Sequence, residues 1–280
     1  MNLTYSLRAA RHSFKDWIRT RIFHRPSANT LRNYRGKLID KETPFAVLES
    51  YRTIRTNLFY TGLMTKSAVI GITSPLAHEG KSLTCANLAI TFGMANKRAV
   101  IVDCDMRAPS QGMIFSLETD AVGLSDYLSG QVDTVPVIKT SYENLSVVVS
   151  GRRPPNPAEL LLGDRMESLL KTLKEEYDVI FLDLPPVAVV SDASVVASRV
   201  GGYLVVLESF QSDVSNTDRA LHLLESVNAN ILGFVLNNVP QKGRGYGRYK
   251  GYSTYSYGEE RLSRKERRAR KRAARAKKKS

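Results

Sequence analysis

Three consecutive residues, Gly80, Lys81 and Ser82, have the chemistry of a phosphate site. They stand in ITSPLAHEGKSLTCANLAI, where an apolar strand-like run passes through a short loop into a helical pattern. At such a junction backbone N–H groups hold phosphates, the lysine reaches the terminal phosphates, and the hydroxyl binds Mg²⁺. Pro75 occupies the first glycine position of the strict Gly-x-x-x-x-Gly-Lys-Ser/Thr pattern. The tripeptide alone therefore does not distinguish a phosphate site from a chance helix start.

Acidic residues at the ends of two later apolar runs strengthen the phosphate-site hypothesis. VIVDCDMR carries Asp103 and Asp105, and DVIFLD ends in Asp183. The separation of Asp103 from Lys81 fits one crossover to a neighbouring parallel strand, and such sheets bind ligands at the carboxyl ends of their strands. We expect all three carboxylates near the phosphates, with Asp183 supporting Mg²⁺. Taken singly, each aspartate is also consistent with a helix cap.

A cluster of tyrosines follows the last apolar run. The stretch GRGYGRYKGYSTYSYGEE has neither helical nor strand periodicity, and its glycines disfavour regular structure. This pattern predicts a flexible tail that displays phenol groups, at Tyr246, Tyr249, Tyr252, Tyr255 and Tyr257. A phosphate site joined to such a tail suggests a kinase that modifies its own tail. A Gly/Tyr linker without chemistry is the alternative.

Charge separates the ends of the chain from its middle. The 280 residues carry a net charge of +14, but residues 1–40 carry +7, residues 261–280 carry +11, and residues 41–240 carry −6. Basic ends indicate tethers to lipid head groups, nucleic acid or acidic proteins. No apolar run reaches the roughly 18 residues needed to span a bilayer. We therefore expect a cytoplasmic protein, peripheral to the membrane, in which Cys85 and Cys104 are reduced and buried.

Hydrophobic patterning predicts four segments: residues 1–43 with an amphipathic helix over 5–23 and a linker, a domain over 44–240, a tyrosine tail over 241–260 and a basic tail over 261–280. The helix faces a membrane, or packs on the core or a partner. In the domain, apolar strings typical of buried parallel strands alternate with helical patterns. We predict a doubly wound, mostly parallel α/β sheet. Its expected strands are 68–74, 99–103, 145–150, 178–183, 203–208 and 231–237, and its expected helices are 44–60, 81–95, 158–176, 192–199 and 214–228.

The motifs together resemble those of the bacterial tyrosine kinases, which share a superfamily with chromosome-partitioning and septum-site ATPases. TSPLAHEGKS, VIVDCDMRAP and VIFLDLPPV resemble the Walker A, A′ and B motifs of that family. Glu49, Arg52 and Arg55 in LESYRTIRTNL match its interface motif, and GRRPPNPAELL resembles its loop after the third strand. The position of the tyrosine cluster also agrees. The resemblance covers about residues 41–257 and implies a P-loop NTPase fold of the deviant Walker type.

The resemblance implies a role for each matching residue, with ATP and Mg²⁺ as cofactors. Catalysis would involve Lys81, Asp103 and Asp105, with Asp103 as the candidate base and Asp105 assisting it or holding metal. Magnesium would be held by Ser82, Asp103 and Asp183. Adenine would be read by Asn237 or Asn238, although either could simply form a strand-end turn. ATP as a whole would contact Glu79, Gly80, Lys81, Ser82, Leu83, Asn237 and Asn238.

Partners are likewise implied by the resemblance. The chain would be an autokinase acting in trans that controls capsule or exopolysaccharide assembly. It would need a membrane adaptor and a phosphotyrosine phosphatase. Glu49, Arg52 and Arg55 are spaced by three and line one helix face, so a head-to-tail contact through them would close a homo-oligomeric ring. Alternatively, this face only caps the sheet through intramolecular salt bridges. The competing hypotheses are a partitioning-type ATPase that cycles on DNA or membrane, and a non-catalytic scaffold. The basic tail fits the partitioning-type ATPase, whereas the tyrosine cluster favours the kinase.

Three positions depart from the family pattern. His78 stands where glycine is usual, which constrains the loop if its φ is positive. Leu83 and Leu184 replace the usual hydroxyl residues. Because Lys81 and its acidic partners are intact, we expect activity, although weaker catalysis remains open from the sequence.

Overall fold

A single sheet organises the described residues, which in this computed structural model are 37–65, 67–117 and 121–239. Seven strands form it within these ranges: β1 (Ala68–Thr73), β2 (Ala99–Asp103), β3 (Ile138–Lys139), β4 (Leu145–Val148), β5 (Val179–Asp183), β6 (Gly202–Glu208) and β7 (Ile231–Asn237). Their order is β3-β4-β2-β5-β1-β6-β7, and only the β3–β4 pair is antiparallel. The predicted mostly parallel α/β sheet is confirmed.

Helices cover both faces of the sheet. They are α1 (Phe45–Tyr60), α2 (Lys81–Gly93), α3 (Gln111–Ile114), α4 (Leu124–Leu128), α5 (Pro157–Leu162), α6 (Asp164–Glu176), α7 (Asp192–Val195) and α8 (Val214–Ser226), with 3₁₀ turns at Leu63–Thr65 and Ala197–Arg199. One apolar core lies between the sheet and α5, α6 and α8, and the other between the sheet and α1 and α2. Strands β1, β2, β4 and β5 are buried along their whole length, as their continuous apolar sequences predict.

Strand order corrects one prediction. β2 is not the neighbour of β1, because β5 lies between them and pairs with both. This insertion sets Asp103 directly opposite Asp183 in register. The carboxyl ends of β2, β5 and β1 are therefore consecutive along one edge of the sheet, and the acidic residues meet the phosphate loop there.

Two helix predictions are also corrected. The expected helix over 158–176 is two helices that break at Gly163, whose extended backbone (φ −64°, ψ 162°) cannot continue a helical turn. The segment 192–199 forms the short α7 followed by a 3₁₀ turn. Both cysteines are free and buried, as predicted. The amphipathic helix at 5–23, the tyrosine cluster and the basic tail lie outside the described residues.

Candidate active site

The phosphate loop joins β1 to α2. Gly80 precedes the helix with φ 89°, a left-handed conformation that glycine adopts without strain. A Cβ atom at this position would lie 2.0 Å from Asn237 Nδ2, so a side chain here would collide with the end of β7. His78, in the same loop, has a φ of 72°. The histidine therefore holds the left-handed backbone that glycine adopts more easily, as expected from the sequence. Its neighbour Glu79 is buried.

Lys81 lies at the centre of the site, in the first turn of α2. Its Nζ is 2.8 Å from Asp105 Oδ2, 3.6 Å from Asp183 Oδ1 and 3.1 Å from Ser82 Oγ. Burial alone would lower the pKa of this amine, but the charges of Asp183 and Asp105 outweigh burial and raise the pKa. Lys81 is therefore held as a cation in a largely enclosed position, ready to meet a negatively charged group.

Two fully buried carboxylates face each other across β2 and β5. Burial, followed by the charge of Asp183, raises the pKa of Asp103 well above its ordinary value. Burial also raises the pKa of Asp183, although Lys81 pulls it down. Two like charges kept from water favour their neutral forms. The site thus has more acidic groups than Lys81 can pair with, and an arriving cation would favour their ionised forms.

Gln111, at the start of α3, connects these groups and was missed by the sequence interpretation. Its Nε2 donates to Asp183 Oδ2 at 2.7 Å and to the Ser82 carbonyl at 3.0 Å. Its backbone N–H donates to Asp103 Oδ2 at 2.9 Å, beside the Ser110 N–H at 3.0 Å. A glutamine eight residues beyond Asp103 belongs to none of the three motifs, so no sequence signal marked it.

Glu79 anchors the phosphate loop to the ends of β6 and β7. Its carboxylate accepts from the Leu76 N–H at 2.9 Å and from the Ser212 hydroxyl, and its carbonyl accepts from Asn237 Nδ2 at 3.1 Å. Asn238 instead donates to Glu208 Oε1 at 2.7 Å, 30 residues away in the chain. Of the two predicted adenine-reading asparagines, Asn237 is thus the one in contact with the loop.

Arg107 and Asp192 fasten the segment that carries Asp103 and Asp105. The guanidinium donates through Nε and Nη2 to the two carboxylate oxygens, each at 2.9 Å. The Asp192 side chain is fully buried at the start of α7. Such a two-point contact fixes orientation as well as distance. It joins the loop after β2 to the segment that follows β5.

The remaining predicted residues fall into two groups. Leu83 is half-buried against the core beneath α1 and α2, and Leu184 is fully buried in the core on the opposite face. The predicted interface residues all lie on α1, in the middle of the helix rather than at the phosphate loop. Arg52 Nη1 contacts Glu49 Oε1 at 2.7 Å, one helical turn away. Arg55 instead donates to the Thr91 carbonyl near the C-terminal end of α2.

The arrangement fits a magnesium ion that arrives with a nucleotide. Across the described ranges, no group of three or more His, Cys, Asp or Glu side chains is placed as a ready-made metal site. Mg²⁺ characteristically takes one or two carboxylates and completes its coordination with phosphate oxygens and water. Asp183 Oδ1 is buried and has no hydrogen-bond partner among the described atoms, so it is an oxygen available to such an ion or its water.

None of the described helices is long and apolar enough to cross a bilayer.

Comparison with known proteins places this geometry in a family. A ParA family model, described as an NUBPL iron-transfer P-loop NTPase, matches residues 66–245. The chain is 32% identical over 205 residues to the tyrosine-protein kinase CpsD of Streptococcus agalactiae, covering 73% of this chain and 89% of that protein.

Two solved structures agree with that relationship. The chimerical protein CapA2B2 matches with a TM-score of 0.68 and 34% identity, over 74% of this chain and 91% of that one. The kinase domain of the Escherichia coli tyrosine kinase ETK matches with a TM-score of 0.65 and 30% identity, over 71% and 80%. With its phosphate loop and strand-end aspartates in place, the chain belongs to the bacterial tyrosine kinases, which are built on the ParA-type P-loop NTPase fold.

Proposed function

We propose that this kinase uses ATP and magnesium to phosphorylate its own tyrosine cluster in trans, and thereby regulates capsule or exopolysaccharide assembly. The observation that carries the proposal is the convergence of Lys81, Asp103, Asp105 and Asp183 at the carboxyl ends of adjacent strands. Three carboxylates around one cation are more negative charge than a simple phosphate-binding loop needs. They suit a site that combines a nucleotide, a metal ion and a proton acceptor.

The chemistry assigned to these residues is transfer of the γ-phosphoryl group to a phenol. The phenol oxygen forms a bond to the γ-phosphorus, the bond from that phosphorus to the β–γ bridging oxygen breaks, and ADP leaves. The phenol proton passes to a carboxylate. Asp103 suits this role because burial and Asp183 raise its pKa, whereas Asp105 is already paired with Lys81. Lys81 supplies fixed positive charge where negative charge gathers on the transferring group.

Magnesium would be held by Ser82, Asp103 and Asp183, directly or through water. When bound, it supplies positive charge to the phosphate oxygens and orients them. The phosphates themselves would lie on the backbone of the Gly80 turn and the N-terminus of α2. Asn237 is the better placed of the two asparagines to couple the adenine to this loop, since it already contacts Glu79.

Assembly through α1 is the proposed route by which a tail reaches another subunit's site. Glu49, Arg52 and Arg55 would contact the neighbouring subunit in a head-to-tail ring. A membrane adaptor would promote this arrangement and a phosphotyrosine phosphatase would reverse the modification. Phosphates that accumulate on the tail would repel the acidic 41–240 segment, so the ring would loosen.

A kinase assay with a matched lysine control tests the proposal. The full chain is incubated with ATP and Mg²⁺, and phosphotyrosine is measured for the parent, Lys81→Met and Lys171→Met, the last being an exposed lysine on α6. We expect phosphotyrosine in the parent and Lys171→Met, and its loss in Lys81→Met. Phosphate release without phosphotyrosine would identify a partitioning-type ATPase instead, and neither product would identify a scaffold.

Transfer between chains needs a separate assay. Lys81→Met protein, which keeps its tyrosines, is mixed with an active chain in which all five cluster tyrosines are changed to phenylalanine. We expect phosphotyrosine to appear on the Lys81→Met protein. Labelling of the parent alone, with none on the Lys81→Met protein in the mixture, would show transfer within one chain.

The basic ends are the proposed contact with an anionic membrane. Residues 261–280 carry +11, and each basic residue near an anionic surface contributes about 1 kcal/mol. The chain should bind phosphatidylserine vesicles at low salt and leave them as salt rises. Nucleic acid would show the same salt trend, so competing DNA against the vesicles decides between the two.

A further inference from the structure

Gln111 occupies an unusual position for a residue outside the three motifs. Its side chain is completely buried, yet it is polar and lies between the phosphate loop and the paired aspartates. Its Nε2 group reaches Asp183 Oδ2 at 2.7 Å and the Ser82 carbonyl at 3.0 Å. Burying an amide is costly unless its hydrogen bonds are satisfied, so this placement calls for a specific role.

The orientation of the Gln111 amide follows from its neighbours. A carbonyl and an ionised carboxylate only accept hydrogen bonds, so the two N–H groups of Nε2 must face Ser82 and Asp183. The Oε1 atom then faces away from them. Within the described part of the chain, neither Gln111 Oε1 nor Asp183 Oδ1 has a hydrogen-bond partner. Two buried oxygens that accept protons or bind cations are thus left without a hydrogen-bond donor, and one of them, Asp183 Oδ1, lies 3.6 Å from Lys81 Nζ.

The two oxygens of Asp183 are consequently not equivalent. Gln111 occupies Oδ2, while the nearest cation to Oδ1, Lys81 Nζ, is 3.6 Å away. A carboxylate free to rotate would present either oxygen, whereas one that is hydrogen-bonded on one side presents the other. Residues that orient a metal-binding carboxylate typically change metal affinity about 10- to 100-fold when they are replaced.

We propose that Gln111 is a positioning residue for the magnesium ion: by holding Asp183 Oδ2, it directs Oδ1 toward the ion or the ion's water. The proposal rests on the proposed function, since it requires a magnesium–nucleotide site. A hydrated cation matches the open oxygens, because the ion takes a carboxylate oxygen and its waters donate protons. The backbone contact to Asp103 Oδ2 ties the same residue to the second carboxylate.

Equilibrium nucleotide binding tests this role without relying on activity. A fluorescent ADP analogue is titrated into the full chain in EDTA and in Mg²⁺, and the ratio of the two dissociation constants measures the effect of magnesium. The variants are Gln111→Met, which keeps the volume but removes both donors, and Gln131→Met, an exposed glutamine between α4 and β3. We expect Gln111→Met to lower the magnesium effect about tenfold or more, with binding in EDTA unchanged within about twofold.

The controls separate this proposal from a structural role and from the proposed function. If Gln111→Met weakens binding equally in EDTA and in Mg²⁺, or matches the parent in both, the proposal is overturned. If the parent itself binds no nucleotide, the proposed function fails instead. Thermal unfolding checks that Gln111→Met folds. If it does not, Gln111→Asn replaces it, because this shorter amide cannot reach both Ser82 and Asp183, and it should show the same selective loss in Mg²⁺.

Discussion

Two ion pairs of nearly the same length lie at opposite extremes of environment. Lys81 and Asp105 are 2.8 Å apart with side-chain exposures of 10% and 5%, whereas Arg52 and Glu49 are 2.7 Å apart with exposures of 41% and 39%. The first pair lies at the mouth of the phosphate loop, and the second lies on α1. Distance alone therefore says little about what each pair does.

The difference in burial determines the effect of each charge. Water screens the pair on α1, and exposed pairs of this kind typically contribute about 0–1 kcal/mol. At the phosphate loop, water is excluded, so Lys81 and its carboxylates act strongly on one another and any imbalance persists. The acidic groups there outnumber the one lysine that pairs with them, as the proposed magnesium site would require. On α1 the exposed pair is free to exchange partners, as the proposed assembly surface would require.

The largest expected effect comes from removing one buried charge. Asp183→Asn should lower the rate of phosphoryl transfer about 100-fold, because one fixed charge contact of an active site is typically worth about 3 kcal/mol of barrier. Glu49→Gln, which changes one carboxylate to an amide on α1, should leave the rate per site within about twofold. Both are measured as ADP formation with a synthetic peptide of residues 241–260 as acceptor.

A peptide acceptor matters in this measurement because it removes the need for assembly. Autophosphorylation of Glu49→Gln should still fall if the α1 face forms the ring. Equal losses in both variants on the peptide would mean that α1 contributes to the chemistry itself, and the contrast between the two regions would be wrong.

The second prediction concerns stability at the buried site. Asp103→Asn should abolish most transfer and yet raise the melting temperature in EDTA. The amide oxygen can keep the Ser110 and Gln111 N–H groups, and only the longer 3.3 Å hydrogen bond from the Asp105 N–H is lost, because an amide NH2 group cannot accept it. Removing the charge relieves its repulsion with Asp183. For a domain of this size each kcal/mol of relief raises the melting temperature by about 2–4 °C.

The raised pKa of Asp103 determines how the melting temperature of Asp103→Asn, relative to that of the parent, depends on pH. A carboxyl whose pKa is higher in the folded state stabilises the fold at low pH, and that stability is lost as pH rises through the folded pKa. Asp103→Asn lacks this loss. Its advantage over the parent in melting temperature should therefore be small below the ordinary pKa of aspartate and grow as pH rises. A constant or shrinking advantage would show that repulsion is not the cause.

Sequence patterning predicted the sheet and the motif-bearing part of the site for a physical reason. Strands buried on both faces need continuous apolar runs, so β1, β2 and β5 were visible as strings. A lysine after glycine at a helix start, and aspartates where strands end, likewise have few structural substitutes. Their convergence followed from parallel topology, although the actual neighbour of β1 is β5 rather than β2.

The rest depended on contacts between distant segments. Gln111 and Asp183 are 72 residues apart, and Ser212 reaches Glu79 across 133. No local pattern records such pairs. The two-residue β3 is too short for a periodicity, and the break at Gly163 has only one glycine as its signal. The roles of Arg52 and Arg55 also could not be separated, because helical spacing gives them the same face.

The third prediction separates those two arginines. Arg55 donates to the Thr91 carbonyl, one of the carbonyls at the end of α2 that the helix itself leaves unpaired. The positive charge of Arg55 also interacts favourably with the negative end of the α2 helix dipole. Arg55→Ala should therefore lower the free energy of unfolding by about 1–2 kcal/mol in a monomer. Arg52→Ala should change it by less than about 0.5 kcal/mol.

Urea unfolding of Lys81→Met protein, which carries no phosphate, measures both variants without interference from modification. Light scattering of the same proteins without urea reports assembly, which both substitutions should weaken. If Arg52→Ala destabilises the monomer as much as Arg55→Ala, the two residues share one structural role, and α1 is not a free assembly surface.

The smallest expected effect tests the backbone of the phosphate loop rather than its charges. His78 is exposed and holds φ at 72°, a conformation that costs a non-glycine residue about 1–2 kcal/mol. Glycine removes that cost, but its greater freedom in the unfolded chain destabilises the fold by about 0.4–1 kcal/mol. The net change in unfolding free energy for His78→Gly should therefore lie within about 1 kcal/mol of zero.

Ala77→Gly, at the exposed neighbouring position, is the matched control. It gains the same freedom in the unfolded chain but relieves no left-handed strain, so it should be less stable than His78→Gly by about 1 kcal/mol in urea unfolding. If the two variants are equally destabilised, the left-handed turn at His78 stores no strain. Any catalytic difference from glycine-bearing relatives would then have to come from the imidazole side chain itself.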